Sequence, residues 1–240
     1  MHRFFIKPED KISGKQFEIN SPDLVHQWSR VLRFEPGEQV VLLNGSGKEY
    51  VATISEVTKK NSTGIIDETR DGKGEPPYTL TLAQALLKNA DKVEWVLQKG
   101  TELGVSKFIL MSTDRTERKH SLKHERSERI IEEAAEQSHR ATMPTLLEDN
   151  EFEKIIKSHP FIIVPHTEGA QTFTEFKKEI GVVPKDILVC VGPEGGFTPE
   201  EVSLAREHGA HIVSLGSRIL RSETAGPVLA TLIAEWAGEF

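Results

Sequence analysis

Three short runs in the last third of the chain are apolar at nearly every position: "PFIIVPH" (160–166), "DILVCVG" (186–192) and "HIVSLG" (211–216). A strand with one wet face alternates polar and apolar residues. A strand without alternation must be covered on both faces, which in practice means a parallel sheet layered between helices. Helical patterns lie beside these runs as that arrangement demands. "TPEEVSLAREHG" (198–209) opens with Thr198 as N-cap, Pro199 at the first helical position and Glu201 completing a capping box. "SETAGPVLATLIAEWAG" (222–238) is apolar at Val228, Leu229, Leu232, Ile233 and Trp236. Upstream, "YTLTLAQALL" (78–87) and "KFILMST" (107–113) read as strands. Between them "ADKVEWVLQKGTELG" places Val93, Val96, Leu97 and Leu103 on one helical stripe. A long charged helix is predicted over about 121–140, with Leu122, Ile130, Ile131, Ala134 and Ala135 facing inward. The expected fold class is therefore α/β with a mainly parallel sheet.

Residues 1–71 have a different texture. "RFFI", "QFEI", "EQVVLLNG", "EYVATISEV" and "STGIIDE" are strand-like and "NGSGKEY" is a hairpin-grade turn. A helix is predicted in "SPDLVHQWSRVLR", with Ser21 as N-cap and Pro22 at N1. This reads as a small β-barrel with a helix at its mouth. The Gly- and Pro-rich "RDGKGEPPY" (70–78) is the expected linker, dividing the chain into domains 1–71 and 72–240.

Net charge is −7, and residues 145–240 hold 15 acidic against 8 basic side chains. Bulk positive charge therefore cannot be the means of holding nucleic acid, and any such face must be local and drawn from the first two thirds. Arg3, Arg30 and Arg33, with His2, His26 and Trp28, could make a basic and aromatic surface for RNA; scattered surface charge is the other reading. Arg115 and the basic stretch to Arg129 are either a solvated helix face or a phosphate-contacting patch. Arg140 closes the polar cluster Glu136, Gln137, Arg140, which reads as an interface or an active-site group. His120 and His124 stand at helical spacing without further patterned ligands, so no metal is expected. Cys190 lies in an apolar run and reads as a core thiol. No eighteen-residue apolar run exists to span a membrane, and "MHRFFIKPED" has too short an apolar cluster for a signal peptide. The expected location is the cytoplasm.

The three apolar strands end in "PHTEG", "GPEGGF" and "GSRILRSETA". Ligands of open α/β sheets bind outside the carboxyl ends of the strands, so these loops define one candidate pocket. A Walker loop is excluded because Glu49 stands where Ser or Thr is required, and no G-x-G-x-x-G follows a strand. Glu194 within "GPEGGF" would repel a pyrophosphate, whereas a neutral or cationic ligand, such as a sulfonium-bearing nucleoside, fits. Gly195 and Gly196 would let backbone N–H groups approach it closely. Arg218 and Arg221 precede a helix start and could hold a carboxylate, a phosphate or a developing anion; two solvated arginines are the alternative.

Taken together, "MHRFF", "VLR" (31–33), "NGSGKEY", "QKGTELG" (98–104), "EEAAEQSHR", "VGPEGGFTPEE" and "LGSRILRSETA" resemble, in order and over nearly the whole chain, the bacterial 16S ribosomal RNA uridine N3-methyltransferase family of the SPOUT class. The resemblance implies a trefoil-knotted α/β domain preceded by a PUA-like barrel, S-adenosylmethionine as cofactor, a homodimer, and a uridine of 16S rRNA, within the 30S subunit, as target. It implies a cofactor cradle of Pro165, His166, Gly192, Gly195, Gly196, Leu215, Gly216, Ile219, Leu220 and Thr224. Arg221 would stabilise the uridine anion or the cofactor carboxylate, and Glu194 would support the sulfonium or fix the loop. RNA contacts would come from Arg3, Arg30, Arg33, Arg115 and Arg140. A non-catalytic RNA-binding or ribosome-assembly factor with a vestigial cofactor pocket is the alternative.

Overall fold

The computed structural model describes residues 1–117, 123–168 and 170–240, apart from the side chain of Asp149. Leu122 and His120 lie outside the described residues. Two compact units emerge: Met1–Glu75 together with Ala135–Met143, and Pro76–Ala134 together with Pro144–Phe240.

In the first unit, strands β1 (His2–Phe5), β2 (Lys11–Ser13), β3 (Gln16–Ile19), β4 (Gln39–Leu43), β5 (Lys48–Val57) and β6 (Ser62–Asp71) form a curled sheet in the order β1-β4-β5-β6-β3-β2. Only β1 and β4 pair in parallel; the other pairs are antiparallel, and β5 bulges twice against β6. Alternation sends successive side chains to opposite faces. Phe4 packs with Trp28, Phe17, Ile19, Leu42 and Ile54 in one core. Phe5 joins Val41, Leu43 and Val51 on the other face, where Ala135 and Ala141 cover them. The return of 135–143 is tightly fitted: a Cβ on Gly72 would collide with the Ala141 Cβ. Glu136, whose role composition left open, accepts the Phe5 N–H at 2.8 Å.

The helix expected after Ser21 forms as α1 (Pro22–His26) and then widens into a π-helical turn over Gln27–Leu32. Ser21 makes no side-chain cap. Its hydroxyl instead donates to Asp10 Oδ2 at 2.9 Å, because the Asp10 carboxylate already accepts the Asn20 and Ser21 N–H groups there.

The second unit carries strands β7 (Thr79–Ala85), β8 (Lys107–Ser112), β9 (Thr145–Glu151), β10 (Ile162–Pro165), β11 (Gln171–Thr172), β12 (Asp186–Val191) and β13 (His211–Ser214). They form one sheet in the order β11-β13-β10-β12-β7-β8-β9, parallel throughout. Its helices are α2 (Ala90–Glu102), α3 (His124–Gln137, whose residues from Ala135 on belong to the first unit), α4 (Phe152–Ile156), α5 (Phe173–Ile180), α6 (Pro199–Glu207) and α7 (Ser222–Ala237). Two apolar cores flank the sheet. Leu80, Leu82, Ile163, Ile187, Val189 and Val213 face one; Ala83, Val164, Leu188, Cys190 and Ile212 face the other. That double burial is why the strand runs lack alternation. Both capping boxes form, the expected Thr198–Glu201 pair of α6 and a Thr172–Glu175 pair that starts α5.

Candidate functional site

β13, β10 and β12 are adjacent and parallel, so their carboxyl-end loops meet at one edge of the sheet. They wall a cavity of about 1190 Å³. Pro165 and His166, Gly192 through Gly196, and Leu215 with Gly216 and Arg218 through Arg221 all line it. Of the residues expected there, Thr224 alone does not reach the lining.

The 192–197 loop is fastened from several sides. Gly196 takes φ 69° and donates its N–H to the Pro193 carbonyl at 2.9 Å, a turn that favours glycine. Arg115 Nη1 donates to the Gly195 and Phe197 carbonyls at 2.9 and 3.2 Å. The Ser222 hydroxyl donates to the Gly192 carbonyl at 2.5 Å and accepts from the Nε2 of fully buried Gln84 at 3.0 Å. Glu194 Oε1 accepts the Lys88 N–H at 3.1 Å. Phe197 is buried against Phe152, ring centres 4.7 Å apart.

The 215–221 loop is held far less. Among the described residues its side-chain bonding amounts to the Ser214 hydroxyl meeting the Gly216 N–H and carbonyl at 3.3 Å, beside an Arg221–Glu223 approach. Gly216 takes φ 111°, and Ile219 is 86% exposed, a large apolar side chain facing solvent. Arg221, the N-cap residue of α7, has its side chain 80% exposed and 3.9 Å from Glu223.

Glu223 and Lys92 were missed from sequence. The Glu223 side chain is 12% exposed and takes the Lys92 ammonium at 3.0 Å, both residues lining the cavity. Burial works to raise its pKa, but its own backbone N–H and the Lys92 ammonium outweigh this and hold the carboxyl below the usual range. Its other oxygen, Oε2, is buried with no hydrogen-bond partner among the described residues. The polar corner at "SETA" was the available signal for Glu223; nothing local in "ADKVEW" marked Lys92, which comes to the site only by the packing of α2 beside α7.

The five expected RNA contacts divide. Arg30 and Arg33 are exposed in the first unit. Arg3 is turned inward, its side chain 8% exposed and bonded at 2.5 Å to Glu49, which Arg70 also grips at 2.9 Å. Arg140 is 2% exposed and paired with Glu75 at 2.8 Å. A guanidinium without solvent access and already ion-paired has no face to offer a phosphate, so Arg140 leaves the solvent-facing set. Arg115 spends Nη1 on the cavity loop, as described.

The parallel α/β sheet with its strand-end cavity and the curled β unit coincide with two family matches that make the chain an RNA methyltransferase: the RNA methyltransferase domain family matches residues 74–234, and the RNA methyltransferase PUA domain matches residues 30–67. Ribosomal RNA small subunit methyltransferase E of Bacillus subtilis is 31% identical over 239 residues, covering 94% of this chain and 93% of its own length. The same enzyme from Neisseria gonorrhoeae, solved bound to S-adenosyl methionine, is 28% identical with TM-score 0.85, covering 98% of this chain and 97% of that one. A Legionella pneumophila methyltransferase solved with bound SAM is 31% identical with TM-score 0.84, covering 97% and 96%. The chain belongs to the ribosomal RNA small subunit methyltransferase E family.

Proposed function

We propose that this chain transfers a methyl group from S-adenosylmethionine to N3 of one uridine of 16S rRNA, acting as a homodimer on the 30S subunit, with a trefoil-threaded second unit. The observation that carries the reading is the build of the cavity: one wall of glycine backbone, one exposed apolar side chain, and a rim of paired and unpaired charge. Such a site suits a flat nucleoside carrying both a cation and a carboxylate. Gly195 and Gly196 bring backbone close, Ile219 offers an apolar surface to a base, and Glu194 puts negative charge at the rim. Arg218 and Arg221 supply guanidinium groups for a carboxylate or an anion.

When bound, S-adenosylmethionine supplies a methyl group on a positively charged sulfur. The protein's part is to make uridine N3 nucleophilic, which requires that N3 give up its proton to bulk water while the mouth of the cavity is open. Arg221 stands at the rim with its charge uncompensated apart from a 3.9 Å approach to Glu223, so its field favours the N3 anion. Glu223 is neutralised by Lys92 and fixes the first turn of α7, from which Arg221 projects. Closing the cavity over the base excludes water and strengthens that field.

Radiolabelled methyl transfer to 30S subunits that lack the modification, followed by mapping of the modified nucleoside, tests the assignment. Label at N3 of a single 16S uridine is the expected outcome. Label on another base, or at another atom of uridine, overturns it.

A further inference from the structure

A second recess, of about 340 Å³, lies within the first unit and takes no part in the cavity above. Its wall is Asn20 and one helical stripe, Pro22, Val25, His26, Ser29 and Arg30, the stripe at spacing i, i+3, i+4, i+7, i+8. Facing that stripe are Lys59 and Lys60, on the turn between β5 and β6. The turn is tied at its base: Thr58 Oγ1 donates to the Asn61 carbonyl at 2.8 Å and accepts the Lys60 and Asn61 N–H groups at 3.1 and 3.0 Å. The helix widens into its π-helical turn at Gln27–Leu32, where Ser29 and Arg30 sit. Such turns are rare and recur at functional sites. No carboxylate lines the recess, and among the described residues Arg30, Lys59 and Lys60 have no ion-pair partner. This contrasts with Arg3 and Lys48 of the same unit, each neutralised by an acid.

Three unneutralised cations and an imidazole lining one concavity match the oxygens of a phosphodiester, the Ser29 hydroxyl being spent on the Val25 carbonyl at 2.7 Å, and in a chain of net charge −7 such a cluster must be local. We propose that this recess is a phosphodiester-binding subsite through which the first unit holds an RNA strand, Arg30 and the Lys59–Lys60 turn gripping the backbone from two sides. The proposal rests on reading the chain as a methyltransferase of small-subunit rRNA. The recess positions substrate and takes no part in the methyl-transfer step.

The test compares the wild-type chain with the Lys59→Ala/Lys60→Ala and Arg30→Ala variants, binding purified 16S rRNA and 30S subunits across a salt series. Both lysines are exposed, so melting temperature and S-adenosylmethionine affinity, measured alongside, should match wild type. Neutralising one cation that touches a phosphate should flatten the slope of log K against log salt by about 0.7–0.9. Unchanged slopes in variants that still fold overturn the subsite while leaving the methyltransferase reading intact. A wild-type chain that methylates no small-subunit rRNA overturns that reading instead, whatever the slopes. Titration of the labelled full chain with inorganic phosphate and with a short single-stranded RNA, followed by amide shifts at Ser29, Arg30, Lys59 and Lys60, separates the sources of the anion. Displacement of phosphate by the RNA supports the subsite. Phosphate binding that RNA cannot compete away marks a free-anion site and overturns it.

Discussion

The two long loops of the cavity differ in how they are held. The 192–197 loop is fastened by Arg115, by Ser222, by the Lys88 N–H and by burial of Phe197. The 215–221 loop carries the exposed Ile219 and Arg221 and little side-chain bonding of its own. One wall is prepared before any ligand arrives; the other has groups to give and few commitments to undo. Preorganised donors are what stabilise charge without reorganisation, whereas adaptable groups close over a bound molecule. The chemistry of the site should therefore fail differently according to which wall is damaged.

The largest effect is expected at the open wall. Arg221→Ala should reduce methyl transfer to 30S subunits roughly a hundred- to a thousand-fold, the range for removing one group that stabilises developing charge. Because the side chain is 80% exposed, melting temperature should stay at the wild-type value. Near-full turnover by this variant would remove Arg221 from the reaction.

A matched pair of glycine substitutions compares the walls directly. A Cβ on Gly192 would lie 3.2 Å from the Gly196 carbonyl carbon and from the Phe197 N, backbone atoms of the fastened loop. Gly192→Ala should therefore lower melting temperature by several degrees, since a strain of about 1–3 kcal/mol cannot relax there. At Gly216 a Cβ meets nothing within 4 Å, and the obstacle is φ 111° alone. The open loop can shift to relieve it, so Gly216→Ala should leave melting nearly unchanged while weakening S-adenosylmethionine binding about tenfold by calorimetry. Equal drops in melting temperature for the two variants would mean that the loops are equally rigid.

Much of this was legible from residue order. The unalternating runs announced strands buried on both faces, and the Gly-rich "GPEGGF" and "LGSRILRSETA" announced their loops, because backbone demands are written locally. Long-range pairing is not. Arg3 and Arg140 look like free cations until Glu49 and Glu75, 46 and 65 residues away, close on them. Residues 135–143 join the first unit because the second face of its sheet is apolar, a fact of β1, β4 and β5 rather than of the segment itself. Helix α5 is faint in the sequence although its Thr172–Glu175 capping box is plain, its apolar stripe being only Phe173, Phe176 and Ile180. The pairing of Lys92 on α2 with Glu223 on α7 is likewise invisible until the helices are packed.

That pair joins the open loop to the body of the unit, and its test is the most delicate. The folded pKa of Glu223 lies below its ordinary value of 4.5, so its stabilising contribution is complete above that value and is lost as pH falls through the folded one. Burial pulls upward on Glu49 and Glu75, but their arginines outweigh it and hold both carboxyls low. The acid limb of the wild-type melt therefore belongs to several groups at once. The difference between wild type and Glu223→Gln isolates one of them. At neutral pH the variant should melt a few degrees lower, and the gap should narrow as pH drops below about 4.5. A gap independent of pH would assign the loss to packing of the side chain and not to its charge. Arg221 would then owe its position to the backbone of α7 alone, and the open loop would be even less constrained than the Lys92–Glu223 pair makes it.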